Sequence, residues 1–81
     1  MYAIEEGAEF RGQVFDLHPK RFKQVYLRLS ALQLNPRPPD AQMLDENIYR
    51  VRVGPYRISY EIDDERRRVR VFLLEVMAEG E

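Results

Sequence analysis

Three arginines stand out as residues whose type and spacing could do chemistry. Arg50 and Arg52 lie two apart, and Arg57 follows after a Gly54-Pro55 break. In an extended chain, positions two apart share a face. If Gly54-Pro55 is a two-residue hairpin loop, Val53 pairs with Tyr56, Arg52 with Arg57, Val51 with Ile58 and Arg50 with Ser59. Three guanidiniums then crowd one sheet surface. Like charges directly opposite each other cost a few tenths to about 1 kcal/mol. An anion removes that repulsion, and arginine suits phosphate and carboxylate groups because its planar fork donates two parallel hydrogen bonds. A second cationic group, Lys20 and Lys23, lies upstream. Glu61 and Glu75 are the acids placed to neutralise the arginines as ordinary cross-strand pairs.

Other chemistries have little material. The 81 residues contain no cysteine and one histidine, so disulfides, thiolate metal sites, a cysteine nucleophile and a histidine-built metal centre are excluded. His18 precedes Pro19 and reads as the start of a helix rather than as a general base. Asp63, Asp64 and Glu65 run consecutively in a polar stretch and read as a turn, not as an acid/base pair. Tyr26, Tyr49, Tyr56 and Tyr60 fall at apolar positions and read as core rather than stacking platforms. No glycine-rich phosphate loop and no metal or cofactor motif is present.

Charge is unevenly spread. The formal net charge is −1, from 13 basic and 14 acidic residues. The first sixteen residues carry four acids and one arginine, and residues 61–81 carry seven acids and four arginines. The basic excess is therefore confined to residues 17–60, where eight cations meet three acids. A basic middle between acidic ends fits an anionic partner. No apolar run approaches the roughly 20 residues that span a bilayer, and no signal peptide is recognisable, so a cytoplasmic location is expected.

The elements that must position the arginines follow from periodicity. The length predicts a single domain over residues 1–81. Residues 2–4 predict a short strand, and Phe10, Val14 and Leu17 a short helix weakened by Gly12. Residues 19–34 predict the best helix, with Phe22, Val25, Tyr26, Leu29 and Leu32 on one face. Prolines 36, 38 and 39 end it and open a loop over residues 35–47. At Ile48 the period changes to two, giving strands over residues 48–53 and 56–62. A third strand spans residues 68–77, and its stretch 71–74, apolar on both sides, suits a central position. The expected fold is α+β, in the order β-α-α-β-β-β, with two helices on one face of an antiparallel sheet. The expected core is Phe22, Val25, Leu29, Tyr49, Val51, Ile58, Tyr60 and Val71.

The string IYRVRVGPYRISYEIDD, residues 48–64, resembles the strand hairpin of the RelE toxin family. The helix ending in LNPRP, residues 34–38, resembles the family's helix before a proline-containing loop. ParE-type gyrase poisons share that fold but resemble this hairpin less. The resemblance implies a ribosome-dependent mRNA endoribonuclease without cofactor or metal, neutralised by a cognate antitoxin. It implies that Arg50, Arg52 and Arg57 hold RNA and stabilise charge at the scissile phosphate, with Lys20 and Lys23 adding to RNA binding. An acidic, amphipathic antitoxin is expected, with Val76 and Met77 in its docking strip. The C-terminus, LEVMAEGE over residues 74–81, departs from the family pattern. Glu79 stands about where the family has a basic residue, and the chain ends before the expected aromatic. Two readings follow: an interferase with weak or absent cleavage, or a non-catalytic RNA- or antitoxin-binding module of the same fold.

Overall fold

A computed structural model describes residues 1–77. The chain runs β1 (Ala3–Glu6), α1 (Ala8–Phe15), α2 (Pro19–Leu34), β2 (Gln42–Asp45), β3 (Ile48–Val53), β4 (Tyr56–Asp63) and β5 (Arg68–Val76). The strands form one sheet in the order β1-β5-β4-β3-β2, and the two helices pack against it.

α2 starts and stops where its chemistry dictates. Pro19 occupies the first turn, where its missing N–H costs nothing. The His18 ring nitrogen Nδ1 accepts the Lys20 backbone N–H at 3.2 Å, so this histidine is a helix cap. Asn35 leaves helical geometry at φ −147°, as a residue before proline prefers. Val25, Leu29 and Leu32 enter the core. Phe22 does not: it is 41% exposed and packs against Tyr26 with the rings tilted and their centroids 4.6 Å apart. It sits on the flank of the buried stripe. Tyr49 is only partly buried, while Val25, Leu29, Val51, Ile58, Tyr60 and Val71 are core as expected.

The β3–β4 register matches the sequence reading at every position, from Val53 opposite Tyr56 to Arg50 opposite Ser59. Gly54 opens the turn at φ +55°, and Pro55 follows it. A positive φ at the first central position is what a tight hairpin with Gly there requires.

Three features differ from the sequence expectation. The sheet is mixed, not antiparallel, because β1 pairs parallel to β5. β2, β3, β4 and β5 alternate in direction, and the helical hairpin returns the chain so that β1 meets β5 head to head. A strand's long-range partner leaves no mark on its local pattern. The loop over residues 35–47 also contains a strand. β2 is an edge strand exposed along its whole length, so it lacks the apolar alternation that would reveal it. Its turn into β3 places Asn47 at φ +59°, a left-handed conformation that asparagine tolerates. The third difference is in β5. Ser59 pairs with Leu73 but Tyr60 with Val71, leaving Phe72 as the extra residue of a bulge. The bulge shifts the alternation by one, so Val69, Val71 and Leu74 all reach the core from one face. β5 is central to the sheet, but this phase shift produces its doubly apolar stretch.

Candidate functional site

The helices bury the face bearing Val51, Val53, Ile58, Tyr60 and Ile62. Alternation therefore turns Arg50, Arg52 and Arg57 to the opposite face. Arg52 and Arg57 are direct cross-strand partners. Arg52 is exposed, and Arg50 and Arg57 are half-buried.

All three line one hollow of about 220 Å³, together with Asp40, Gln42, Val51 and Met77. The hollow lies where β2 stops short of β3. The first β2 pair is Gln42 with Arg50, so Val51 to Val53 have no strand beside them on that edge. Gln42 fixes its neighbour: the Arg50 Nε–H donates to Gln42 Oε1 at 2.8 Å. Met77 closes another side, its backbone N–H donating to the Pro55 carbonyl at 2.8 Å. Three arginines thus line a space in which Asp40, the one carboxylate among the described lining residues, is ion-paired with Arg28 of α2. A cluster of arginines of this kind has the chemistry to bind an anion and to stabilise negative charge. Guanidinium does not deprotonate in proteins, so the three arginines themselves supply no general base.

The expected neutralising acids are placed differently from one another. Glu75 stands opposite Arg57 across β4–β5, whereas Glu61 stands opposite Arg70. Glu5 of β1 joins Arg68 and Arg70 in longer pairs at 3.7 and 4.0 Å. These acids balance the arginines at the far end of the open face.

Lys20 and Lys23 are exposed on α2 and do not line the hollow. Arg21 lies nearer the hairpin. A Cβ added at Gly54 would sit 2.9 Å from Arg21 Nη1, so this guanidinium rests against the turn. Arg21 also donates to Gln24 Oε1 at 3.1 Å. Asp40, Gln42 and Arg21 were not legible as site residues, and Met77 stood out in the sequence only as part of a docking strip. Only the turn-forming run at residues 45–47 signals that a strand precedes β3, and with it that Gln42 meets Arg50. Glu79 lies outside the described residues.

A larger hollow, about 490 Å³, opens at the other end of the sheet, lined by Glu46, Asn47, Glu61, Ile62, Asp63, Asp64 and Glu65. Its carboxylates repel anions, and among the described residues no group of three or more His, Cys, Asp or Glu is set to hold a metal ion. Beside it, a polar clamp ties three loops together. The Arg37 guanidinium donates to Asp64 at 2.8 and 3.1 Å and to Asn47 at 3.1 Å, and it lies 5.5 Å from the centre of the Tyr49 ring. The Tyr2 hydroxyl donates to the same Asp64 carboxylate at 2.5 Å. Hydrogen bonds from Arg37 and then Tyr2 pull the Asp64 carboxyl down to about 2. Under the clamp, Tyr60 is pushed up to about 12 by burial, and its hydroxyl donates to the Pro36 carbonyl at 2.7 Å. These contacts hold the loops at this end of the sheet together.

The family model for the ParE toxin of type II toxin–antitoxin systems, parDE, matches residues 15–75, from the end of α1 through nearly all of β5. The chain belongs to the ParE toxin family. Solved structures of RelE toxins share the fold of this ParE-family chain. Isolated Escherichia coli RelE superposes with a TM-score of 0.88 at 18% identity, covering 100% of this chain and 89% of that one. RelE in the archaeal RelE–RelB complex from Pyrococcus horikoshii gives 0.84 at 15%, covering 98% of each chain. The RelBE2 toxin–antitoxin complex from Mycobacterium tuberculosis gives 0.79 at 23%, covering 93% and 96%. No curated protein matches the sequence. By family and fold, this ParE-family chain is a RelE/ParE-type toxin of a toxin–antitoxin system. No helix among its described residues is long and apolar enough to cross a membrane.

Proposed function

We propose that this toxin acts in the cytoplasm by binding mRNA on the ribosome through the arginine hollow, and that it cleaves RNA weakly or not at all. The observation that carries the reading is the convergence of Arg50, Arg52 and Arg57 on one hollow, with Arg52 and Arg57 directly opposed. A phosphate between them turns a repulsive arrangement into an attractive one. Lys20, Lys23 and Arg21 extend the basic surface along α2.

Cleavage by attack of a 2′-hydroxyl needs a proton taken, a proton given and negative charge stabilised on the phosphoryl oxygens. The three arginines supply the last of these. Loss of one such stabilising donor typically costs about 10²–10³ in rate. In the sequence, Glu79 stands about where the family resemblance expects a cation, and a carboxylate in that role would repel the developing charge. The same residues support a second reading, a non-catalytic RNA- or antitoxin-binding module.

The partner that restrains the toxin is an antitoxin, as in the solved RelE–RelB complexes of the relatives. An acidic, amphipathic antitoxin suits the basic hairpin, and the exposed Val76 beside Met77 offers it an apolar contact.

The test is a ribosome-stimulated cleavage assay on the natural chain, Glu79→Arg and Arg57→Ala, alongside RNA binding at several salt concentrations. Binding that falls steeply with salt, weak cleavage by the natural chain and a gain in Glu79→Arg are expected. Robust cleavage by the natural chain, abolished in Arg57→Ala, makes it an ordinary interferase. Salt-dependent binding with no cleavage by either the natural chain or Glu79→Arg makes it a binding module. RNA binding unchanged in Arg52→Ala and Arg57→Ala places the interface elsewhere.

A further inference from the structure

α2 carries a second stripe that the sheet does not use. Lys20, Lys23, Leu27, Ala31 and Leu34 follow one another at spacings of three, four, four and three, so they line one face of the helix. All five are exposed, Leu27 to 62% and Leu34 to 76%. Val25, Leu29 and Leu32 take the inward stripe, so this one points away from the sheet. A surface helix ordinarily turns polar residues outward, and a single exposed leucine needs no explanation. Here the apolar residues are consecutive along the last turns of the stripe. The Tyr2 backbone N–H donates to the Gln33 carbonyl at 2.9 Å, which brings Met1, 77% exposed, beside that end. The other end of the stripe is cationic. α2 contains no Asp or Glu, and among the described residues neither Lys20 nor Lys23 has an ion-pair partner.

We infer that this outer face of α2 docks a helix of a partner protein, apolar over one half of its contact stripe and acidic over the other. The spacing decides the form of the occupant. Side chains rising from a helix three and four residues apart fit between those of a second helix with the same spacing. Charge decides its chemistry. Lysines at the start of α2 add to the positive end of the helix macrodipole, so carboxylates beside them are attracted by both. A second copy laid on this face brings only cations, neutral polar and apolar groups from its own α2, and the lysines stay unpaired. A nucleic acid engages the lysines but leaves Leu27, Ala31 and Leu34 in water. The partner helix therefore sets apolar residues against Leu34, Ala31 and Leu27, and Asp or Glu about one to two turns further along, beside Lys23 and Lys20. Arg50, Arg52 and Arg57 lie on the opposite face of the sheet, so docking here is independent of binding in their hollow.

The experiment uses the full chain and synthetic helical peptides about four turns long. One carries leucines at the apolar spacing and glutamates at one end. A second has lysine in place of each glutamate, and a third is a scramble of the first. Binding is followed by the backbone amide resonances of the natural chain and by peptide fluorescence anisotropy at low and high salt. The acidic peptide is expected to shift the resonances of Lys20, Lys23, Leu27, Ala31 and Leu34, and the other two peptides to bind about tenfold more weakly or less. Leu27→Ser and Leu34→Ser are each expected to weaken the acidic peptide about tenfold, and Lys20→Gln with Lys23→Gln to remove most of its salt dependence. All four positions are exposed, and Leu27→Gln replaces Leu27→Ser should serine lower the stability of the helix. No binding of the acidic peptide, equal binding of the lysine peptide, or shifts confined to the β3–β4 hairpin overturns the inference. A dimer in sedimentation that Leu27→Ser dissociates also overturns it, by making the occupant a second copy. Binding to phosphatidylglycerol vesicles that Leu27→Ser abolishes overturns it as well, by making the occupant a lipid surface.

Discussion

Arg52 and Arg57 face each other across the β3–β4 ladder, two like charges at a directly paired position. A fold does not gain stability from such a pair. Arg52→Ala is therefore expected to leave the unfolding free energy unchanged or to raise it by up to about 1 kcal/mol. If Arg52 holds RNA as proposed, the same variant is expected to weaken RNA binding and to lower the slope of log affinity against log salt by about one unit, as loss of one phosphate contact does. Denaturant unfolding and salt-dependent binding on one sample check both halves.

The Arg37–Asp64 clamp predicts a stability that depends on pH. Asp64 is held at about 2, below the ordinary carboxylate value, by its bonds from Arg37 and Tyr2. A group whose folded value is depressed stabilises the native state fully above its unfolded value near 4, and that contribution fades as pH falls through the folded value. Thermal midpoints of the natural chain should fall between about pH 4 and pH 2 more steeply than those of Asp64→Asn. At neutral pH Asp64→Asn should be the less stable of the two. Parallel curves for the two proteins would show that the clamp does not couple to folding.

Gln13 of α1 does the work of a missing strand. Its amide accepts the Leu74 N–H at 2.8 Å and donates to the Leu74 carbonyl at 2.7 Å, on the edge of β5 that β1 does not reach. Gln13→Leu leaves both backbone groups without partners and is expected to cost about 1–3 kcal/mol. Equilibrium unfolding measures it, and faster amide exchange at Leu74 localises it.

Two glycines are predicted to respond in opposite directions to the same substitution. A Cβ at Gly12 meets nothing within 4 Å. Gly12→Ala is expected to stabilise by about 0.5–1 kcal/mol, through the greater helix propensity of alanine. At Gly54 the backbone is left-handed and Arg21 lies 2.9 Å from the added carbon. Gly54→Ala is expected to destabilise by about 1 kcal/mol or more and to displace Arg21 from the hairpin turn. Unfolding midpoints compare the two directly.

The hairpin was legible from the residues alone, down to its register, because every determinant is local. A period of two assigns the faces, Gly54-Pro55 sets the loop length, and one buried face forbids slippage of a single residue. The cap at His18, the helix after it and its end before Pro36 are equally local. Phe22 shows where this stops: helical spacing identifies a stripe but not which of its edges the sheet covers. The parallel docking of β1, the exposed strand β2 and the bulge at Phe72 depend on contacts between distant segments, and none changes the local pattern in a way that distinguishes it. The same division holds at the site. Charge and spacing pointed to Arg50, Arg52 and Arg57, but Gln42 and Asp40 reach them only because β2 pairs with β3, and Met77 only because β5 ends beside Pro55. A hollow is a property of the surfaces that enclose it, and those surfaces meet only when the chain has folded.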